Sequence, residues 1–239
     1  MSDLLSQAIE AHGGLGRWRS LSSATLDLSI AGALWSAKMV SGALERTTAT
    51  LDTRRQRLVF SPFGGADRLS VFEPWRVALE TLDGRLIESR YSPRAAFKDH
   101  LQVTPWDLLH AAYFSSYALW GYLTAPFLYA SPGFVAQEIE PWVENGETWR
   151  RLRIIFPDSL ATHSREQVSY FGPDGLLRRH DYSVEVLGGA RGANYASNYR
   201  TFDGLVIPTV RRVYAHGDDG RPIPEPLLVS IDIDHMAFS

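Results

Sequence analysis

The chain begins with a helical pattern of apolar residues. Residues 3–12 carry Leu, Ala and Ile at the i, i+3 and i+4 spacing of one helical face, which predicts a short helix with Ser2 or Asp3 as its N-cap. Gly13 and Gly14 follow, and glycine readily adopts the left-handed conformation that ends many helices. Because these glycines follow a helix rather than a buried strand, we interpret them as a helix terminator and not as a dinucleotide-binding loop.

Apolar and polar residues then alternate with a period of two in short segments, over 24–90 and again over 134–238. Several turns between these segments carry Asp-Gly or Asn-Gly pairs, at 83–84, 145–146 and 203–204, and such pairs are typical of tight β-hairpins. We therefore expect about a dozen strands, paired in chain order, in an antiparallel sheet that curls into an open barrel. The segment 35–42 is counted among these strands.

The pattern between residues 93 and 130 is helical, with Thr104 predicted as an N-cap and Pro105 in the first turn. The stretch 111–130 contains no charged residue, which matches a membrane-spanning helix in length. It also contains serine, threonine, glycine and proline and has no flanking Lys or Arg cluster, so we expect a buried or lid-like helix instead. The predicted fold class is mainly β (α+β): an unclosed antiparallel barrel with an N-terminal helix and with mid-chain helices plugging its concave side, in one domain of residues 1–239.

Aromatic residues concentrate in the mid-chain segment, where residues 106–134 hold nine Phe, Tyr and Trp side chains. One helical face carries Trp106, His110, Tyr113, Tyr117 and Trp120. Such a stripe is typical of a packed core. It also suits the roof of a ligand cavity, because the polar tips of buried rings need partners. Both interpretations stay open, and the four Trp and Tyr residues are candidate ligand-binding residues.

Strand alternation adds candidate site residues in the second half of the chain. In "LLRRHDYSVEV", residues 176–186, Tyr182 lies on the apolar face with the valines. Alternation then places Arg178 and His180 inward as well, and it places Arg179 and Asp181 in solvent.

The same reasoning in "LLVSIDIDHMAF", residues 227–238, predicts that His235 points inward. His180, His110 and His235 are therefore candidates for proton transfer near neutral pH. Tyr182, Tyr113 or Tyr117 is a candidate donor to a developing oxyanion. Arg178 is a candidate for orienting the polar end of a ligand, or alternatively a residue of the rim. The simpler alternative is that His180 and His235 each lie at a strand end that opens to water.

Composition excludes several classes of function. The net charge is −3 and the pI about 6.2, with scattered arginines, so no nucleic-acid partner is expected. The chain has no cysteine, which excludes disulfides and thiolate chemistry.

No H-E-x-x-H or G-x-S-x-G motif occurs, so neither a metal nor a serine nucleophile is predicted, although a site built from the three candidate histidines stays a weaker alternative. No cofactor is expected. The N-terminus lacks the features of a secretory signal, so we expect a cytoplasmic protein.

Three segments resemble one family. The stretch "AHGGLGRWRSLSS" after the first helix, together with "YFGPDGLLRRHDY" and "YRTFDGLVIPTVRRVY", is similar to the bacterial lipoprotein-carrier (LolA-like) superfamily. The resemblance implies an unclosed antiparallel barrel, lined with apolar side chains and covered by helices, that holds acyl chains.

Three functions are compatible with these observations. The first is a protein that binds a lipophilic small molecule, such as a fatty acyl, isoprenoid or polyketide chain, in an aromatic-lined cavity. The second is a cofactor-independent isomerase, dehydratase or cyclase that uses the histidines and tyrosines as acid-base groups. The third is an interaction protein whose aromatic surface is an interface.

Overall fold

The computed structural model describes residues 2–239 of the chain. In order, its helices and strands are α1 (Asp3–Ala11), α2 (Leu15–Arg19), β1 (Ser23–Ala31), α3 (Ala33–Ala37), β2 (Thr47–Asp52), β3 (Leu58–Ser61), β4 (Arg68–Glu73), β5 (Arg76–Thr81), β6 (Leu86–Tyr91), α4 (Leu108–Thr124), β7 (Val135–Glu144), β8 (Glu147–Ile155), β9 (Glu166–Phe171), β10 (Leu177–Val184), β11 (Ala190–Phe202), β12 (Leu205–His216), β13 (Pro222–Ile223) and β14 (Val229–Phe238). Short 3-10 turns cover Pro93–Phe97, Phe127–Ala130 and Glu185–Leu187.

The strands form one continuous antiparallel sheet. Their order is β6-β5-β4-β3-β2-β1-β14-β12-β11-β10-β9-β8-β7, and β13 pairs only with β12. Each half of the chain is a meander of hairpins, and β14 joins the halves by pairing with both β1 and β12. Because β6 and β7 remain as two edges, the sheet is an open half-barrel and not a closed barrel. The predicted fold class is confirmed.

The glycine-rich stretch after α1 is a packing junction. Ser2 caps α1 by accepting a hydrogen bond from the Leu5 N–H at 3.2 Å. Gly13 has a φ of +112°, and a Cβ at this position would lie 2.3 Å from the carbonyl oxygen of Gly204 in the β11–β12 turn. The helix end therefore needs a residue without a side chain so that it can dock on this turn.

Helix α4 begins later than predicted. Asp107, and not Thr104, is its N-cap: the Asp107 carboxylate accepts from the His110 N–H at 2.8 Å, and the His110 ring closes a capping box. Pro105 therefore lies outside the helix. Nearly every residue from 109 to 124 is buried, so α4 is a central helix packed on one face of the sheet, here called the inner face. Within residues 2–239, no helix has both the length and the apolar character to cross a bilayer.

The predicted strand at 35–42 is wrong. This segment contains the end of α3 and the turns after it. Tertiary contacts hold it in this conformation: the Lys38 ammonium is buried and donates to the carbonyls of Leu101, Gln102 and Thr104 at 3.2, 2.6 and 3.1 Å. Period-two alternation alone does not report such a long-range contact.

Candidate functional site

The candidate site is a cavity between α4 and the inner face of β1, β10, β11, β12 and β14. This inner cavity has a volume of about 70 Å³, and apolar side chains such as Ile30, Leu119 and Ile231 form most of its wall. It adjoins an outer cavity of about 530 Å³ near α3 and the β12–β13 turn. Leu34 and Ala190 are among the residues that line both cavities, so the two are neighbours across a shared wall.

Four polar side chains form a hydrogen-bonded group at the inner cavity. The Tyr117 hydroxyl lies 3.1 Å from Nδ1 of His163, and the Tyr122 hydroxyl lies 2.8 Å from Nε2. The hydroxyls of Tyr122 and Tyr182 are 2.5 Å apart, and the His163 ring stacks on Tyr182 with centroids 4.1 Å apart. We call these residues the tyrosine–histidine group. Three of them, Tyr122, Tyr182 and His163, line the cavity.

The backbone beside the tyrosine–histidine group leaves space for its rings. Tyr182 of β10 pairs with Gly192 of β11, and a Cβ at Gly192 would lie 2.7 Å from the Tyr182 ring. Glycine at this strand position therefore lets the tyrosine ring lie flat against the sheet.

Burial keeps this group uncharged at neutral pH. It lowers the pKa of His163 well below its ordinary value, and it raises the pKa of Tyr122 to about 12. Burial also raises the pKa values of Tyr117 and Tyr182 well above the ordinary range. The four side chains can therefore donate and accept hydrogen bonds, but none is poised to exchange a proton near pH 7.

His163 was not predicted as a site residue. It lies in the β8–β9 connection, where no periodic pattern indicates which side chains face inward. Its backbone carbonyl accepts from the Glu185 N–H at 3.1 Å, and the neighbouring Thr162 carbonyl accepts from Arg94 at 2.8 Å. These long-range contacts direct the loop inward.

His180 lies on the inner face beside the tyrosine–histidine group. Its ring centroid is 5.4 Å from that of Tyr182, and its side chain is buried. Burial, with a smaller contribution from the charge of Arg211, lowers its pKa to about 3. His180 is therefore a neutral imidazole at pH 7 and not a proton shuttle.

Of the aromatic stripe, only Tyr117 belongs to the tyrosine–histidine group, and the Tyr113 ring packs edge-on against it with centroids 5.2 Å apart. Tyr113 packs against Phe72 with ring centroids 5.7 Å apart, and the Trp120 indole donates to the Asp52 carbonyl at 2.8 Å. Trp106 lies before α4 and packs in the core. Because α4 is buried on all sides, its aromatic stripe does not identify the face that lines the inner cavity. That face carries Phe114, Ser115, Ala118, Leu119 and Tyr122.

His110 lies at the other end of α4, away from the inner cavity. Its Nδ1 lies 2.8 Å from the Asp107 carboxylate, and its ring packs edge-on against Phe97. Arg90 also pairs with Asp107, at 2.6 Å. His110 therefore caps the N-terminus of α4 together with Asp107.

The prediction that His235 points inward is wrong. Asp27 pairs with His235, but the next residue, Leu28, pairs with Ile233, so Asp234 is an extra residue in β14. Such a bulge reverses the alternation beyond it. Met236 is therefore buried in the core, and His235 is exposed.

Of the two adjacent arginines of β10, Arg178 lies at the rim, the alternative to its predicted inward position, and Arg179 differs from its predicted environment. The register between β9 and β10 shifts between Leu177 and Arg179. Arg178 pairs with Glu147 and Asp174 at the sheet rim, at 3.1 and 2.9 Å, and does not line the inner cavity.

Arg179 was predicted in solvent but is 0% exposed on the outer face of the sheet. It forms two hydrogen bonds with Asp181, at 2.6 and 2.7 Å, and one with Glu144, at 3.0 Å. The rings of Trp142, Tyr170 and Tyr195 cover it. Alternation gave the correct face, but aromatic residues of neighbouring strands bury that face.

The three candidate histidines do not come together. His110 caps α4, His180 is buried on the inner face and His235 is exposed on β14. Within residues 2–239, no group of three or more His, Asp or Glu side chains is arranged to hold a metal ion.

Comparison with solved structures shows a LolA-like fold. A LolA superfamily protein from Nitrosomonas europaea aligns over 96% of this chain and 90% of its own, with a TM-score of 0.50 and 9% sequence identity. A DUF1329 family protein from Desulfovibrio piger aligns over 100% of this chain and 94% of its own, with a TM-score of 0.50 and 13% identity. No family model and no curated protein matches the sequence. At these identities the likeness shows the fold alone.

Proposed function

We propose that this protein binds a lipophilic small molecule, such as a fatty acyl, isoprenoid or polyketide chain, in the inner and outer cavities. The observation that carries the proposal is the apolar wall of the inner cavity with a few convergent polar groups, Tyr122, Tyr182 and His163. Apolar walls supply affinity for such a ligand, and a few fixed polar groups orient it. The LolA-like half-barrel agrees with this function.

The volumes indicate how a ligand would occupy the site. The outer cavity, at about 530 Å³, is within the usual range for small-molecule sites, whereas the inner cavity, at about 70 Å³, is far below it. In this conformation the inner cavity holds only the end of a chain. A longer ligand must therefore extend into the outer cavity or widen the inner one.

The electrostatics favour binding over acid–base catalysis. A general acid or base works best with a pKa near the operating pH. Burial lowers the pKa of His180 to about 3 and that of His163 well below its ordinary value. The enzyme hypothesis therefore has less support than the binding hypothesis.

The test is whether a plug between the cavities prevents binding. Ala190 lines both cavities and is half-buried, so Ala190→Phe should place a ring at the wall that the cavities share, with little effect on folding. We expect native mass spectrometry to detect a retained lipophile in the wild type. Titration with the neutral probe N-phenyl-1-naphthylamine should show that Ala190→Phe binds the probe at least about tenfold more weakly than the wild type does.

The matched control is Ala237→Phe, which adds the same ring at an exposed position of β14. This control should bind the probe like the wild type. Equal binding by all three proteins would contradict the proposed site, and failure of the wild type to bind any lipophile would contradict the proposed function.

A further inference from the structure

Three buried residues on the inner face have polar atoms that no hydrogen bond satisfies. His180, Asn194 and Arg211, on β10, β11 and β12, are 3%, 0% and 1% exposed. His180 and Asn194 are directly opposite each other across two strands, and Arg211 pairs with Ala196, two residues along β11 from Asn194. Both ring nitrogens of His180, both amide atoms of Asn194, and Nε and Nη1 of Arg211 have no hydrogen-bond partner within residues 2–239. Buried polar atoms are seldom left unpaired, because a buried group that loses its hydrogen bonds to water without replacing them destabilises the fold.

Arg211 is a buried cation without a counterion. Its Nη2 donates a hydrogen bond to the carbonyl oxygen of Tyr122 at 2.9 Å. That carbonyl lies at the end of α4 and lacks a helical donor, because Pro126 has no N–H four residues later. The helix end supplies only about half a negative charge. Within the described chain, no carboxylate completes the compensation, in contrast to Arg179 with Asp181 and Glu144.

The three residues lie next along the strands to residues that line the inner cavity, and are not themselves among its lining residues. Gly192 and Val213 line the inner cavity, and Asn194 and Arg211 are the next inward-facing residues on the same two strands. Two residues of strand span about 7 Å. Tyr122 lines the inner cavity, and the Arg211 guanidinium lies 5.1 Å from the centroid of its ring.

The Lys and Arg side chains that line the outer cavity already have hydrogen-bond partners. Lys38 donates to three backbone carbonyls, and Arg191 pairs with Asp218 at 2.6 Å. An anionic group would therefore gain little at the entrance. At Arg211 it would meet an uncompensated charge and free donors.

We infer that the lipophilic ligand carries a carboxylate and that this carboxylate binds deep in the fold, to Arg211, His180 and Asn194. The inference rests on the proposed function. A carboxylate is compact enough to pass the narrow inner cavity, and its two oxygens accept several hydrogen bonds. The Arg211 guanidinium donates from Nε and Nη1, the Asn194 amide donates from Nδ2, and neutral His180 donates from one ring nitrogen. The chain of the ligand then extends outward through the apolar cavity.

The test compares two ligands that differ only in the head group. Hexadecanoic acid and 1-hexadecanol would each displace N-phenyl-1-naphthylamine at about pH 8, where the acid is ionised. We expect the wild type to bind the acid at least about tenfold more tightly than the alcohol. In Arg211→Met this ratio should fall to about one, with the affinity for the alcohol changed by less than about threefold. Arg178→Met, which removes an arginine at the rim, should keep the wild-type ratio.

The outcomes separate the two proposals. If the wild type binds both ligands equally, the carboxylate site is wrong while lipophile binding stands, and buried water is then the partner of these polar groups. If neither ligand displaces the probe, the proposed function itself fails. Because the wild-type ratio needs no substitution, the test does not depend on whether Arg211→Met folds. Loss of the preference in Arg178→Met as well would overturn the assignment to Arg211.

Discussion

Arg179 and Arg178 are adjacent in β10, and each pairs with two carboxylates, yet their removal should have very different consequences. Arg179 is fully buried, and the side chains of its partners Asp181 and Glu144 are each 11% exposed. Arg178 is partly exposed, and its partners Glu147 and Asp174 are 36% and 49% exposed.

The magnitudes follow from burial. Removing one partner of a buried ion pair costs about 3–5 kcal/mol, because the other charge stays buried and uncompensated. In Arg179→Met, two carboxylates lose their cation. Tyr170 still donates to Asp181 at 2.7 Å and Tyr195 to Glu144 at 2.5 Å, so we expect the lower end, a loss of about 3 kcal/mol. For Arg178→Met we expect a loss of about 0–1 kcal/mol, because exposed pairs are screened by water.

The measurement is urea-induced unfolding followed by tryptophan fluorescence and circular dichroism, with both variants compared with the wild type. Adding Glu144→Gln to Arg179→Met should recover part of the lost stability, because it removes one of the two unpaired charges. If the free energies of unfolding of Arg178→Met and Arg179→Met differ by less than about 1 kcal/mol, the outer-face network is not a buried ion pair in solution.

Two further predictions concern stability. Gly13→Ala should destabilise the protein by at least about 1–3 kcal/mol in urea, because φ is +112° and its Cβ would contact the Gly204 carbonyl. The control is Gly16→Ala in α2, where no atom lies within 4 Å of the added Cβ, and it should be neutral or stabilise the protein by up to about 1 kcal/mol. Equal losses of stability in both variants would refute the close packing of Gly13 on the β11–β12 turn. Burial lowers the pKa of His12 to about 4 and that of His180 to about 3, so the unfolded chain, with the ordinary value of 6.5, takes up protons first as the pH falls. The free energy of unfolding should therefore be highest above pH 6.5 and fall by up to about 1.4 kcal/mol per pH unit for each histidine between pH 6.5 and 4. His12→Gln should reduce this slope, and an unchanged slope would show that His12 is not the group responsible.

Much of the fold follows from local chemistry. Asn145 and Gly146 have φ values of 52° and 78°, the conformation that an Asn-Gly hairpin turn requires, and Asp203 and Gly204 repeat it at 51° and 85°. Such turns join strands that are neighbours in sequence, so the two meanders could be predicted from turn residues and alternation. The N-terminal helix and the helical mid-chain segment followed in the same way, because each depends on residues close together in the chain. The single open barrel also needs β1 to pair with β14 from the other end of the chain.

The candidate site depended on contacts that no local pattern records. One extra residue at Asp234 turned His235 outward, because every later side chain in a strand changes face after a one-residue bulge. His163 lines the inner cavity from a loop, where no periodic pattern indicates which side chains point inward. Helix α4 is buried on all sides, so its sequence pattern does not indicate that Tyr122, and not Trp120, faces that cavity. Period and turn chemistry act over a few residues, whereas burial and polar pairing depend on which distant strands meet, and only the assembled sheet determines that.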